Sequence, residues 1–267
     1  MIPKYIDIHS HLNFPDYDAD RGEVIARMRK QGVATITIGT SLETSQSAVA
    51  LAEQHENIFA CIGIHPTEID PITGITAHFP RQHFEELVKH PKVVAVGECG
   101  LDYGREGVID EKQKETQRIL FRQHIDFAVQ HNLPIMIHAR NSSADILEIL
   151  TFKKSEYGDK LRGNAHFFTG NPAEAQQYID LGFSVSFTGV ITFAQDYDET
   201  IKSVPLESLM SETDSPFVTP TPYRGKRNEP TYVIEVVRKL AEIKGIPEEE
   251  AAQVFLKNAV AKFNLVW

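Results

Sequence analysis

Apolar runs of strand length alternate along this chain with longer segments in which apolar residues recur at helical spacing. Short runs rich in Val, Ile and Ala read as buried strands, and the stretches between them as amphipathic helices. The pattern predicts strands at Tyr5–Ile8, Thr35–Gly39, Phe59–Ile64, Val93–Gly97, Pro134–Ile137, Gly163–His166, Ser184–Phe187 and Ser208–Glu212. The clearest helix runs from Asp110 to His131, where Leu120, Ile125, Phe127 and Ala128 share an apolar side. A second runs from Pro172 to Leu181 after a start signal at Asn171. A third runs from Pro230 to Lys244, closed by Gly245, and a fourth from Pro247 to Phe263. Repeated βα units predict an α/β fold of the (β/α)8 TIM-barrel type. An open doubly wound sheet is the alternative. Its first loop is usually glycine-rich, whereas this chain has His9-Ser10-His11-Leu12-Asn13 there.

Size and composition fit one barrel domain over residues 1–267. No apolar run reaches the length of about eighteen residues that a membrane span needs. The first strand follows the N-terminus directly, so no secretory leader is expected. Cys61 and Cys99 are the two cysteines, too few for a disulfide framework, and a reducing cytoplasmic setting is expected. The formal net charge of −10 runs against the basic footprint usual in nucleic-acid binders. A carboxylate-rich metal site accounts for part of such a charge, and basic residues can still cluster locally.

The polar residues that interrupt the pattern fall at strand C-termini, where barrels of this type carry their reactive groups. His9 and His11 follow the first strand, two residues apart, and are expected to project to the same face. His65 follows the third strand, Glu98 the fourth, His138 and Arg140 the fifth, His166 the sixth and Asp214 the eighth. Each alone has an ordinary explanation as a loop residue or cap. Together, His9, His11, Glu98, His138, His166 and Asp214 are expected to meet at one mouth. Imidazoles mixed with carboxylates suit zinc, and carboxylate bridging also admits manganese or magnesium. His55, His78, His83, His90, His124 and His131 lie in or near helical segments and are read as structural or solvated. Cys99 is expected to point away from Glu98 and to pack.

At these residues the sequence resembles the TatD-type metal-dependent deoxyribonuclease family, within the amidohydrolase-like barrels. The matching blocks are DIHSHLNF, IGIHP, VGECGLDY, DEKQKETQRILFRQHIDFA, PIMIHAR, ETDSPFVTP and RGKRNEP, from Asp7 to Pro230. The resemblance implies a barrel with a divalent metal centre, usually of two ions. It implies that His9 and His11 ligate the first ion, that Glu98 bridges, and that His138 and His166 ligate the second. It implies that Asp214 holds the first ion or its water, and that His65 lies close to the bound phosphate or leaving group. One departure is His166-Phe167-Phe168-Thr169-Gly170, where relatives often have a small residue after the histidine; it bears on pocket shape.

Two divalent ions beside a carboxylate make hydroxide available near neutral pH and stabilise charge on an attacked phosphoryl group. Asp214 then serves as general base, and His65 donates a proton or hydrogen bond to the leaving oxygen. Arg140 is positioned to bind phosphate bidentately. Tyr103 and Asp102 shape the pocket, with Tyr103 either stacking on a base or packing. Arg224, Lys226 and Arg227 are expected to line the mouth and contact phosphate. The leading expectation is a nuclease that trims single-stranded DNA, or RNA, from the 3′ end, with no obligate protein partner. A hydrolase of a small ester, lactone, amide or aminoacyl-tRNA ester is the alternative, and a non-catalytic metal-binding scaffold is the third.

Overall fold

The computed structural model describes residues 2–68, 79–104 and 109–267. Its strands are β1 (Tyr5–Ser10), β2 (Val33–Ile38), β3 (Ile58–Ile62), β4 (Val93–Asp102), β5 (Ile135–Arg140), β6 (Gly163–Ala165), β7 (Phe183–Phe187) and β8 (Leu209–Ser211). The helices between and after them are α1 (Arg21–Gln31), α2 (Leu42–Glu53), α3 (Arg81–Leu87), α4 (Glu111–Gln130), α5 (Ser143–Tyr157), α6 (Pro172–Asp180), α7 (Asp198–Ser203), α8 (Val233–Lys244) and α9 (Glu248–Phe263). Each strand pairs in parallel with the next, in the order β1 to β8. The result is the expected (β/α)8 barrel.

Local chemistry sets the helix starts. Asp110 and Asn171 each accept a backbone N–H from the first turn of α4 and α6, and Gln113 and Glu174 return a side chain to the cap. Such reciprocal caps satisfy donors that a helix leaves free at its N-terminus. The third expected helix differs slightly: a 3₁₀ turn at Pro230–Tyr232 precedes α8.

Inside the barrel, Ile6, Ile8, Ile36, Cys61, Met136 and Met210 form one buried cluster with Phe263 and Leu265. The strand residues come from β1, β2, β3, β5 and β8, and Met136 of β5 meets the others across the interior. A larger cluster fills the space between strands and helices, with Met28, Leu120, Phe121 and Val236 among its members. The apolar filling stops short of the strand C-termini, and polar side chains take over there.

Barrel closure falls at that polar end. Ser10 bridges Ser215 in parallel, His11 N–H donates to Ser215 O (2.7 Å), and Asp214 N–H donates to His9 O (2.9 Å). The segments that carry three candidate ligands therefore also close the barrel.

Candidate metal centre

β1 does not keep a simple alternation. Its register against β2 shifts between Asp7 and Ser10. Ile8 packs in the inner cluster, yet its neighbour His9 also reaches the central site. A bulge of this kind re-aims side chains near a strand end. Below it, the fully buried Asp7 accepts from Thr213 Oγ1 (2.6 Å), Thr213 N (2.9 Å) and His9 N (3.2 Å). Burial would push the Asp7 carboxyl well up, and these donors oppose that only in part. Asp7 thus ties the end of β1 to the segment that follows β8.

β4 shows a second shift, between Val96 and Cys99, around the central carboxylate. Gly97 and Gly100 flank it with φ of 145° and 142°. A side chain at Gly97 would meet Met136 O at 2.5 Å, and one at Gly100 would meet His138 O at 2.0 Å. Only glycine allows β4 to pass so close to β5 in that conformation. Cys99 is buried and packs, as expected. β4 is longer than its apolar run because it continues through Leu101 and Asp102.

Glu98 is at the middle of the site, and its two oxygens face different imidazoles. Oε2 lies 3.4 Å from His9 Nε2 and 3.9 Å from His11 Nε2. Oε1 lies 2.8 Å from His166 Nε2, 3.0 Å from His138 Nδ1 and 3.5 Å from His65 Nε2. Asp214 Oδ1 completes the first side, 3.4 Å from His11 Nε2 and 3.6 Å from His9 Nε2. His9, His11 and Glu98 place ligand atoms within 4.8 Å of one another, and so do Glu98, His138 and His166. The six expected ligands are therefore gathered. Asp214 takes a φ of 54° and Phe167, after His166, a φ of 43°. Left-handed backbone is unfavourable for such residues and clusters at functional sites.

The surroundings of the ligands are polar and specific. His138 Nε2 lies 3.0 Å from Asp102 Oδ2, leaving Nδ1 toward Glu98. His166 Nδ1 lies 3.6 Å from Oε1 of the fully buried Glu212, which accepts Phe167 N–H (2.6 Å) and Ser186 Oγ–H (2.7 Å). A carboxylate behind a ligating imidazole fixes its ring and raises its basicity. Reading the sequence alone missed Asp7 and Glu212 and gave Asp102 only a shaping role. Their signal was position, since Glu212 and Asp102 sit on the same strand ends as the ligands. His65 is fixed differently. Its Nδ1 accepts Thr67 N–H (3.2 Å), so the neutral ring carries its proton on Nε2. Burial holds its pKa down to about 3, against the pull of Glu98.

The donor set fits divalent metal. His9 is fully buried, and neither of its ring nitrogens has a hydrogen-bond partner. An unsatisfied buried imidazole is costly unless something ligates it. Burial lowers the His9 pKa, keeping the ring neutral and ready to ligate. Burial alone would raise the Glu98 pKa, but His166, His65 and His9 together draw it well below the usual range. Burial opposes charge on His166, yet Glu98 and Glu212 hold its pKa well above the ordinary value. A cation here would supply the positive charge that these carboxylates favour.

The centre opens into a cavity of about 730 Å³, lined by His11, His65, Glu98, His138, His166 and Asp214 together with Arg140. No ion pair among the described residues involves the Arg140 guanidinium. The other expected substrate contacts are placed elsewhere. Tyr103 donates its hydroxyl to Asp145 (2.7 Å), and Arg118 shares that carboxylate. Arg227 grips Asp20 with both arms (2.8 and 2.7 Å) and lies over the Tyr17 ring. Arg224 donates to Thr219 O (2.7 Å) and covers the Phe193 ring. Lys226 is exposed, and none of Arg224, Lys226, Arg227 and Tyr103 lines the cavity. The expectation that this loop lines the mouth is thus corrected: Asp20 and Phe193 offer its arginines nearer partners. His55, His83, His90, His124 and His131 stay outside the metal-ligating groups, and His78 lies outside the described residues.

The comparisons with known proteins agree with this geometry. Residues 6–264 match the family described as "TatD related DNase". An uncharacterized metal-dependent hydrolase of Bacillus subtilis, YabD, is 38% identical over 97% of this chain and 98% of its own. An uncharacterized metal-dependent hydrolase of Mycobacterium tuberculosis, TatD, is 34% identical over 98% of each chain. Among solved structures, the TatD homologue YjjV of Escherichia coli superposes with a TM-score of 0.87 at 29% identity, covering 100% of both chains.

Proposed function

The chain belongs to the TatD-related family of metal-dependent hydrolases, and from that membership we propose that it hydrolyses phosphodiester bonds in single-stranded nucleic acid, trimming DNA or RNA from the 3′ end. The observation that carries this reading is the division of Glu98, one oxygen toward His9 and His11 and the other toward His138 and His166. That arrangement suits a carboxylate shared by two divalent ions, of zinc, manganese or magnesium type. His9, His11 and Asp214 would hold one ion, and His138 and His166 the other. When bound, the ions lower the pKa of water and stabilise charge on a phosphoryl group.

The protein's own groups do the rest. Asp214 accepts the proton of the attacking water. Burial would raise its pKa, but the hydrogen bond from His11, with the other imidazoles around it, keeps it low and the carboxylate ionised. His65 offers Nε2–H to the leaving oxygen as a neutral donor, because Thr67 occupies its Nδ1. Arg140 binds a phosphate oxygen at the cavity wall, where an Arg fork suits phosphate geometry. The near-complete burial of His9 and Glu98 excludes bulk water from the ligands, which strengthens each of these electrostatic contacts.

A second reading is a hydrolase of a small ester or an aminoacyl-tRNA ester. The pairing of Arg227 with Asp20 favours the small ester over either nucleic acid, because it removes a cation from the reach of a long phosphate backbone. One experiment separates the two. The protein is stripped of metal, reloaded with zinc, manganese or magnesium, and assayed on a single-stranded oligonucleotide labelled at either end, on aminoacyl-tRNA and on small esters. Metal-dependent loss of 3′-terminal nucleotides is expected. Ester hydrolysis without oligonucleotide cleavage would replace the nuclease reading with the second.

A further inference from the structure

Six large apolar side chains are well exposed among the described residues: Ile2, Phe152, Phe193, Phe217, Val266 and Trp267. Phe217 alone of these lines the cavity above the candidate metal centre. Its ring is 51% exposed, although it follows Asp214 by three residues. An exposed aromatic so near a buried polar site has no packing purpose that its surroundings explain.

The backbone beneath it is firmly built. Phe217 N–H donates to Asp214 O (2.9 Å), closing a tight turn. The fully buried Asn228 donates its amide to Thr213 O (3.0 Å) and Phe217 O (2.5 Å). Asn228 N–H donates to Pro216 O (3.2 Å), and Tyr17 Oη–H reaches Asn228 O (2.7 Å). The rings of Phe217 and His11 form a T-shaped pair, with centroids 6.0 Å apart and planes at 67°. Phe14, Phe167 and Tyr197 add aromatic surface to the same cavity. A hydrogen-bonded turn thus holds a half-exposed aromatic ring in the wall of the cavity that Glu98 and Arg140 also line.

We propose that Phe217 is a stacking platform for an unpaired nucleobase next to the scissile phosphate, and so selects single strands over duplex. This rests on the nucleic-acid reading above. The chemistry fits because every base offers a π-face, and stacking on an aromatic side chain needs no sequence match and few cations. A base held within a duplex stack cannot present that face. An acidic protein whose Arg140 lines the cavity with no ion pair among the described residues can in this way bind a strand end through one phosphate and a stacked base, without a long basic track.

The test is a cycle between ring and base. Wild type, Phe217→Ala, Phe217→Tyr and, as a surface control, Phe152→Ala are compared on two substrates. One is a single-stranded oligonucleotide; the other is the same strand with base-free sugar spacers at its last two positions. For wild type, removing the bases raises KM about tenfold or more, the scale of a lost stacking contact. Phe217→Ala raises KM on the normal strand by a similar factor and has no further effect on the base-free strand. Phe217→Tyr restores binding, and Phe152→Ala changes nothing. A 2-aminopurine at the terminal position loses fluorescence on binding wild type and keeps it with Phe217→Ala. If wild type cleaves the oligonucleotide but Phe217→Ala weakens both substrates equally, or neither, the platform is wrong and the nuclease reading stands. If wild type neither binds nor cleaves the oligonucleotide, both fall.

Discussion

The two sides of Glu98 differ in what already satisfies them. On the β1 side, His9 is fully buried with both nitrogens unpartnered, and burial keeps it neutral. On the β5–β6 side, His138 bonds Glu98 and Asp102, whereas His166 Nε2 faces Glu98 and its Nδ1, 3.6 Å from Glu212, makes no hydrogen bond. Each side thus leaves a buried imidazole nitrogen without a hydrogen bond. They differ in charge: burial favours a neutral His9, while on His138 and His166 burial is outweighed by the nearby carboxylates, which favour the charged form. In the proposed two-ion centre, Glu98 would therefore serve two sites of unlike character, because the carboxylates behind the imidazoles set the basicity of each ring.

The largest effect is expected from removing the group common to both sides. Glu98→Ala should lower metal-dependent turnover by more than about a thousandfold, beyond the loss of a single electrostatic donor, and should deplete bound metal on both sides. Near-normal turnover or metal content would end the idea of a shared carboxylate. The next effect should be one-sided. Asp102→Asn leaves His138 without its charged partner and should weaken metal binding there by about 10–100-fold, the usual cost of losing such a partner. The His9–His11 side should keep its affinity in the same titration; equal loss on both sides would erase the distinction. Arg140→Ala touches neither side directly. It should raise KM for the oligonucleotide about tenfold with kcat little changed, as for a contact equal in ground and transition states. A fall in kcat alone would move Arg140 into the chemical step.

The smallest expected effect is a pH dependence that belongs to one side. His166 is held well above its ordinary pKa, with burial opposing and Glu98 prevailing, so metal must displace its proton near neutral pH. Affinity on that side should rise with pH until His166 loses its proton in the free protein, by at most about tenfold per unit for one released proton. His9 is lowered by burial and competes less with protons, so the first side should depend less steeply on pH over the same range. Calorimetry in buffers of different ionisation enthalpy counts the protons released by each ion. Release from the first side and none from the second would reverse the assignment.

Much of this was legible in the sequence, for a physical reason. A parallel barrel places its strands in apolar runs and its chemistry at their C-termini, so the order of His9, His11, Glu98, His138, His166 and Asp214 could be read directly. Three features could not. His9 and His11 meet at the site as their spacing predicts, but the register shift between Asp7 and Ser10, which lets neighbouring Ile8 and His9 both serve the interior, has no sign in the pattern. The glycines around Glu98 show their purpose only against β5, where Met136 O and His138 O leave no room for a side chain. Arg227 was read as a phosphate contact from its basic neighbours, but its partner Asp20 is 207 residues away in sequence. Local composition cannot show a pairing made by closing the barrel.

The most direct test is a crystal structure of the metal-loaded protein with anomalous diffraction at the edge of the bound metal. Two peaks are predicted, one among His9, His11 and Asp214 and the other between His138 and His166. Each should lie within about 2.0–2.2 Å of a different oxygen of Glu98, the range of zinc–oxygen bonds. A single ion, or two ions that leave Glu98 outside bonding distance of either, would contradict the shared-carboxylate centre.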